Sequence, residues 1–187
     1  MGTETDRELV EAASRGDRQA FDELVRRHQS AIVNLVRAMI GRDGEAEDLA
    51  QEAFVRAWKS LAQFRGDSTF RTWLHGIAMN VVRTQRSRAW RVRQLFAGAA
   101  GERAARIEPA SQDDGIENPL AMRDAIDRAL GQLPADLREA VVLRDLQGLE
   151  YRDIADVLGI AVGTVESRIF RARRRLRPLL ESVRDQR

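Results

Sequence analysis

The stretch YRDIADVLGIAVGTVESRIF, residues 151 to 170, constrains the fold more than any other part of the sequence. Tyr151, Ile154, Ala155 and Leu158 recur at helical spacing and fall on one face. Gly159 permits a tight turn. Val165, Ile169, Ala172 and Leu176 then form one narrow stripe, at steps of four, three and four. The small Ala155 lets the second helix cross closely over the first. Two short amphipathic helices around one glycine are what a helix-turn-helix needs, with the second helix presented to the DNA major groove.

The face away from that stripe carries Thr164, Ser167, Arg168, Arg171 and Arg175. An arginine can bind a guanine edge bidentately or a phosphate, and a hydroxyl can reach either. Phe170 lies off the core stripe, where its ring could touch a thymine methyl. Residues 163 to 177 hold six arginines and one glutamate. Such a run could be a solvated helix end complementing the helix dipole. The helix-turn-helix directly upstream favours DNA, with Arg168, Arg171 and Arg175 as contacts and Arg173 and Arg177 solvated.

Charge is segregated along the whole chain, so the net charge of +2 conceals more than it tells. Residues 43 to 52 hold five acids and no base, whereas residues 68 to 101 hold six arginines and no acid. Residues 102 to 117 are acidic again, before the basic end. Two basic segments separated by an acidic one suggest two contacts with a polyanion. No cysteine occurs, which excludes disulfides and thiolate metal sites and fits a cytoplasmic protein. The polar start lacks a signal-peptide core, and no apolar run is long enough for a membrane span.

Helical periods account for most of the remainder. Asp17 is placed to cap RQAFDELVRRHQSAIVNLVRAMI, whose Phe21, Leu24, Val25, Ile32, Leu35 and Val36 form the inward face, and Gly41 and Gly44 end it. EAEDLAQEAFVRAWKSLAQF follows, burying Leu49, Ala53, Trp58 and Leu61. After the polar loop RGDST comes FRTWLHGIAMNVVRTQRSRAW, with Phe70, Trp73, Leu74, Ile77 and Val81 inward and Arg71, Asn80, Arg83, Thr84 and Ser87 outward. From about Leu95 to Asn118 the period is lost, which reads as a linker. Asn118-Pro119 and Pro134 open two further helices, and Gly148 closes the second.

The third helix and its preceding loop interleave Phe64, Phe70 and Trp73 with arginines, the combination that single-stranded DNA binding uses. Phe70 and Trp73 also fit a core stripe, so Asn80 and Arg83 are the better candidates for contact. Asp48 and Glu52, four apart, could share a divalent cation, but no further oxygen ligands converge on them. His28 and His75 are each isolated, and no catalytic motif, cofactor motif or metal-ligand set is present. A charged face for a partner protein fits the acidic helix better.

EAEDLAQEAFVRAW, FRGDSTFRTWLHGIAMNVV and LPADLREAVVLRDLQGLEYRDIADVLGIAVGTVESRIFRARRRLR together resemble the extracytoplasmic-function branch of the bacterial sigma-70 family, over nearly the whole chain and in order. The resemblance implies an all-α, non-enzymatic initiation factor without cofactor, made of two small helical domains. A region 2 domain would span residues 1 to 95, a flexible linker 96 to 118, and a region 4 helix-turn-helix domain 119 to 187. It implies that Asp48, Gln51, Glu52 and Arg56 dock on the β′ clamp coiled coil of core RNA polymerase, with the β flap as a further contact. Phe64, Arg65, Asp67, Ser68, Arg71, Asn80 and Arg83 would hold the single-stranded −10 element with one base flipped. Thr164, Glu166, Ser167, Arg168, Phe170, Arg171 and Arg175 would read the −35 duplex. The linker would thread toward the active-site and RNA-exit channels, and an anti-sigma factor would regulate the chain. Two positions depart from the family pattern. Glu166 stands where many relatives carry a base, and so would meet a cytosine amino group. Met79, beside Asn80, is apolar for a DNA-facing position.

Other functions remain compatible with parts of the sequence. A helix-turn-helix repressor would bind a duplex alone, usually as a dimer, and needs neither the acidic nor the basic-aromatic helix. A nuclease using the acidic cluster would need magnesium, and an anti-sigma adaptor would need only the protein-binding faces.

Overall fold

The computed structural model describes residues 5–41, 45–97 and 119–184. In chain order the helices are α1 (Asp6–Ser14), α2 (Arg18–Ile40), α3 (Ala46–Ser60), α4 (Phe70–Ala97), α5 (Pro119–Gly131), α6 (Ala135–Val141), α7 (Tyr151–Leu158) and α8 (Val162–Arg184). A 3-10 turn at Leu61–Gln63 extends α3, and a π turn at Val142–Leu146 extends α6. Among the described residues there is no strand, as the helical periods predict. The expected linker lies outside the described residues from position 98 onward, as do Gly44 and the expected cap Asn118.

Local chemistry sets the helix ends. The Asp17 carboxylate accepts hydrogen bonds from the backbone N–H of Gln19 (2.9 Å) and Ala20 (3.2 Å), which starts α2. Gly41 ends it at φ +87°, a conformation that disfavours any side chain. Helix α1 is an addition to the sequence reading. It opens with a reciprocal cap in which Glu8 accepts from the Thr5 backbone N–H (2.7 Å) and the Glu8 N–H donates to the Thr5 hydroxyl (3.4 Å). Its Leu9, Val10 and Ala13 are buried. Gly159 takes the left-handed conformation at the end of α7 (φ +67°, ψ +40°), which allows the turn into α8.

Helices α1 to α4 form one bundle, and α5 to α8 form a second around Leu143, Ile154, Val165, Ile169 and Ala172. The expected inward residues are buried, with Val25, Trp58, Trp73, Ile77, Tyr151 and Leu176 at half-buried margins. The two bundles are not separate. Their buried apolar side chains join in one cluster, because α4 packs on α7 and α2 packs on α5 and the π turn.

Helix α4 is therefore buried along more than one stripe. Besides Phe70, Leu74 and Val81, it buries Thr72, His75, Met79 and Val82, at steps of three, four and three. This second stripe faces the C-terminal bundle: Thr72 donates to Asp153 (3.2 Å) and the His75 ring meets Gln147 (3.2 Å). Met79 corrects the sequence expectation of a DNA-facing side chain, since it is fully buried. Its apolar character is what that interior requires. Arg138 ties the bundles further, donating to the Met39 carbonyl at the end of α2 (3.1 Å) and to the Gly131 (2.7 Å) and Leu133 (3.1 Å) carbonyls. It serves a backbone oxygen that α2 itself cannot satisfy.

His75 is also not isolated. Its Nδ1–H donates to the Arg71 carbonyl (2.7 Å), and burial pushes its pKa below the ordinary 6.5, with the Arg71 and His28 charges acting the same way. The hydrogen bonds to the Arg71 carbonyl and to Gln147 oppose that shift.

Two outcomes follow from this packing. Met79→Ala removes a fully buried side chain and should lower the unfolding free energy by about 2–5 kcal/mol, read by urea denaturation. A depressed His75 pKa means that folding favours the neutral ring. Stability should be complete above the ordinary value near 6.5 and fall as the pH drops through it. His75→Gln should flatten that part of a Tm-against-pH curve relative to the unchanged chain.

Candidate nucleic-acid interface

Three faces carry the residues that the sequence singles out. The first is the outer side of α8, where Val165, Ile169 and Ala172 are buried and hold the helix against α6 and α7. Opposite them Glu166, Ser167, Arg171 and Arg175 are exposed, and Phe170 is 68% exposed. Thr164 is half-buried. The Ser167 hydroxyl donates to the Thr164 carbonyl (3.0 Å), and Arg171 Nε donates to the Ser167 carbonyl (3.2 Å). These bonds lay the side chains along the helix surface, with guanidinium groups open to a ligand.

Not every arginine of this helix shares that freedom. Arg168 is half-buried and pairs with Asp136 of α6 (3.6 Å). Arg173, expected to be solvated, makes a two-pronged pair with Asp145 (2.6 and 3.0 Å). Arg177 pairs with Glu181 on its own helix (2.8 Å). The open cations of the face are thus Arg171 and Arg175, a smaller set than the sequence indicates.

The second face joins the 64–69 loop to α4. Phe64, Phe70 and Trp73 pack on one another, with ring centroids 5.0 to 6.4 Å apart. The aromatic cluster thereby fixes the loop on the helix start. Arg65 and Asp67 are exposed and 3.4 Å apart. The loop forms one wall of a cleft of about 1100 Å³, and α1 forms the other with Asp6, Arg7, Val10, Glu11, Ser14 and Arg15. Ser68 and Asn80 line a smaller cleft of about 270 Å³, closed across from them by Asp156 and Val157 of α7.

Arg71 and Arg83, read from sequence as outward, are engaged. Arg71 Nη2 donates to the Gln147 carbonyl, and Arg83 Nη2 donates to Glu139 Oε2 (2.7 Å). Glu139 is only 7% exposed, so Arg83 neutralises a carboxylate that is nearly withdrawn from water. Beyond these residues α4 continues as an exposed basic helix with Arg86, Arg88 and Arg91, among which Trp90 stands 60% exposed. The sequence reading did not single out Trp90. An aromatic inside an acid-free arginine run was the signal available.

The third face lies on α3. Leu49, Ala53 and Ala57 are buried, leaving Asp48 and Gln51 exposed and Glu52 paired with Arg56 at 2.5 Å. Val55 sits among them, 46% exposed, and completes an acidic surface with an apolar centre. That composition suits a protein partner. No group of three metal-ligating side chains occurs among the described residues, so Asp48 and Glu52 gain no further ligands.

Exposed arginine-bearing faces on α8 and α4 and an acidic face on α3 thus lie on one chain. Family models describe residues 24–92 as sigma-70 region 2 and residues 123–176 as sigma-70 region 4. The RNA polymerase sigma-H factor of Pseudomonas aeruginosa is 43% identical over 190 residues, covering 96% of this chain and 98% of that one. The ECF RNA polymerase sigma-E factor of Escherichia coli K12 is 39% identical over 175 residues, 90% of this chain and 91% of the relative. Among solved structures, CnrH in complex with the cytosolic domain of CnrY is 34% identical with a TM-score of 0.70, over 96% of this chain and 99% of that chain. The sigma factor RpoE with the anti-sigma factor NepR, from Bartonella quintana, is 30% identical with a TM-score of 0.70, over 86% of this chain and 96% of its own. With both regions matched in order and such identity along nearly its full length, the chain belongs to the sigma-70 family, in the branch of extracytoplasmic-function RNA polymerase sigma factors.

Proposed function

We propose that this chain is a promoter-specificity subunit of RNA polymerase, active only when bound to the core enzyme and without catalytic activity of its own. Residues 1 to 95 act as the core-binding and −10 domain, 96 to 118 as the connecting linker, and 119 to 187 as the −35 domain. The observation that carries the reading is an arginine-bearing exposed face on α4 and another on α8 in one chain, beside an acidic face with an apolar centre on α3. A dimeric repressor needs only the α8 face, and a nuclease needs a metal cluster instead.

Asp48, Gln51, Glu52 and Arg56, with Val55 at their centre, dock on the β′ clamp coiled coil, and the region 4 domain meets the β flap. Phe64, Arg65, Asp67 and Ser68 shape the loop that takes a flipped −10 base, with Asn80 reading beside it. Arg71 and Arg83 then contact the strand backbone. On α8, Arg171 and Arg175 meet the −35 duplex, Phe170 touches a thymine methyl, and Thr164, Ser167 and Glu166 lie within reach of base edges. Arg168 joins them only after leaving Asp136. No helix among the described residues is long and apolar enough to cross a membrane. The reading places the chain in the cytoplasm with the polymerase. Both structural neighbours described above were solved with a partner protein, which supports an anti-sigma factor as regulator.

Run-off transcription on a library of promoter fragments tests the reading. Discrete starts at a shared two-part motif should appear with core polymerase and this chain together, and with neither alone. Initiation without the chain, or protection of a palindromic duplex by the chain alone with no initiation, would overturn it. On the −35 duplex so defined, Arg171→Ala should weaken binding by about 1–3 kcal/mol if it contacts a base, or reduce the salt slope by about 1 if it contacts a phosphate. Arg177→Ala, whose side chain pairs with Glu181, should leave the binding isotherm unchanged.

A further inference from the structure

We infer that the ion pair between Asp145 and Arg173 is a positioning clamp, which sets the rotation of α8 about its own axis and so decides which side chains of the proposed −35 face enter the groove. The inference rests on the proposed duplex-reading role of α8 and names two residues, away from the DNA, on which that reading depends.

The buried stripe of α8 is thinnest where the reading residues stand. Val165 and Ile169 are fully buried and hold the start of the helix. Beyond them the stripe offers only Ala172, a single methyl group, and then half-buried Leu176. Phe170, Arg171 and Arg175 lie along that stretch. Apolar contact is non-directional, so it resists separation of the helices far better than a small roll of one of them. At about 100° per residue, Arg168 and Arg173 fall on the two flanks of the stripe, about 70° to either side of its centre. Arg168 meets Asp136 of α6 through one contact of 3.6 Å. Arg173 meets Asp145 through two, at 2.6 and 3.0 Å. A two-pronged guanidinium–carboxylate pair fixes orientation as well as distance. The Arg173 flank is therefore the fixed one, and Arg168 is the arginine that can leave for a ligand.

The clamp also has a rigid foot. Asp145 stands in the π turn, where the Gln147 N–H donates to the Val142 carbonyl five residues earlier (3.0 Å). Beside it Arg144 donates to the Leu149 carbonyl (2.8 Å), pairs with Glu150 (3.1 Å) and lies 5.0 Å over the Tyr151 ring. These bonds tie the π turn to the start of α7, so the acid that holds α8 is itself held. Arg173 lies about 160° around α8 from both Arg171 and Arg175, on the far side from the reading face. It can orient that face without touching the ligand. A partly exposed pair of this kind adds little to stability, and its contribution here is one of direction.

The test uses holoenzyme assembled from core polymerase and the full chain, on promoter fragments defined by run-off transcription. Each holoenzyme is titrated with the parent fragment, with one whose −35 element is scrambled, and with single-base changes across that element. The readout is the ratio of parent to scrambled affinity, which cancels effects on polymerase docking and on general charge. Asp145→Asn adds one unit of positive charge, so charge alone would tighten binding to every fragment. Positioning predicts weaker binding to the parent fragment instead, with the ratio falling about fivefold, or ~1 kcal/mol. Arg173→Lys keeps the charge and loses the fork, so it should lower the ratio to the same extent. The loss should be confined to part of the −35 element, since Val165 and Ile169 still hold the helix start. If Asp145→Asn gives no holoenzyme, Arg173→Lys decides alone. An unchanged ratio in Arg173→Lys, as a phosphate contact by Arg173 would give, overturns the clamp. Equal flattening at every −35 position, the mark of a domain that merely loosens, overturns it too. Either result leaves the proposed function standing. Failure of run-off initiation by the unchanged chain would overturn the proposed function, and the clamp with it.

Discussion

Everything in this molecule turns on the fact that α4 has two neighbours. Its Phe70, Leu74 and Val81 close the N-terminal bundle, while Thr72, His75, Met79 and Val82 form a second buried stripe. One helix thus supplies both the interior of its own domain and the seat of the other. Two polar groups, Thr72 and His75, precede two apolar ones, Met79 and Val82, on that second stripe, so the seat combines tight packing with hydrogen bonds that must be matched. His75 between the Arg71 carbonyl and Gln147 is the clearest case, a ring that the seat accommodates best without charge.

The ion pair between Arg83 and Glu139 shows how such a seat can be specific. A fully buried pair stabilises little, since desolvation offsets attraction, whereas removing one partner of it costs about 3–5 kcal/mol. A fully exposed pair contributes about 0–1 kcal/mol. This pair lies between those limits, with the Glu139 side chain 10% and the Arg83 side chain 37% exposed. It discriminates strongly against a closed arrangement in which the groups are mismatched. Interfaces between domains of one chain generally have this polar, reversible character.

The parts of the fold that were legible in the sequence are those governed by neighbours along the chain. Asp17 before an amphipathic run, Gly41 after it and Gly159 between two short stripes each act within a few residues, so α2 and the turn between α7 and α8 lie where the residues place them. Helix α1 was legible in principle. Its Thr5 and Glu8 stand at capping-box spacing, but only three buried side chains follow and the polar majority hid them. What the sequence could not show is any pairing between distant segments. Nothing near Arg83 in the chain indicates Glu139, and nothing near Met79 indicates that its side would be covered by another bundle. The outward positions of α4 were identified correctly as outward from their own bundle. The second bundle then reclassified several of them.

That same distinction separates the two proposed nucleic-acid faces. On α8 the proposed reading residues are set by their own helix, since Ser167 and Arg171 bond to carbonyls three and four residues earlier. A duplex groove is itself a regular surface, so a preset helix face suits it, and the face can be read from sequence. Glu166 belongs to this local logic. It is exposed on the second turn of α8, past the first turn in which the helix dipole favours negative charge. Against a duplex its charge repels phosphate, so it gains only where a cytosine amino group meets it. A single strand has no preset shape. Its reader must combine a loop, an aromatic cluster and the flank of α4, each of which touches another part of the protein. The proposed strand-reading face is therefore the one whose residues depend most on distant elements, as the contacts of Arg71 and Arg83 with Gln147 and Glu139 illustrate.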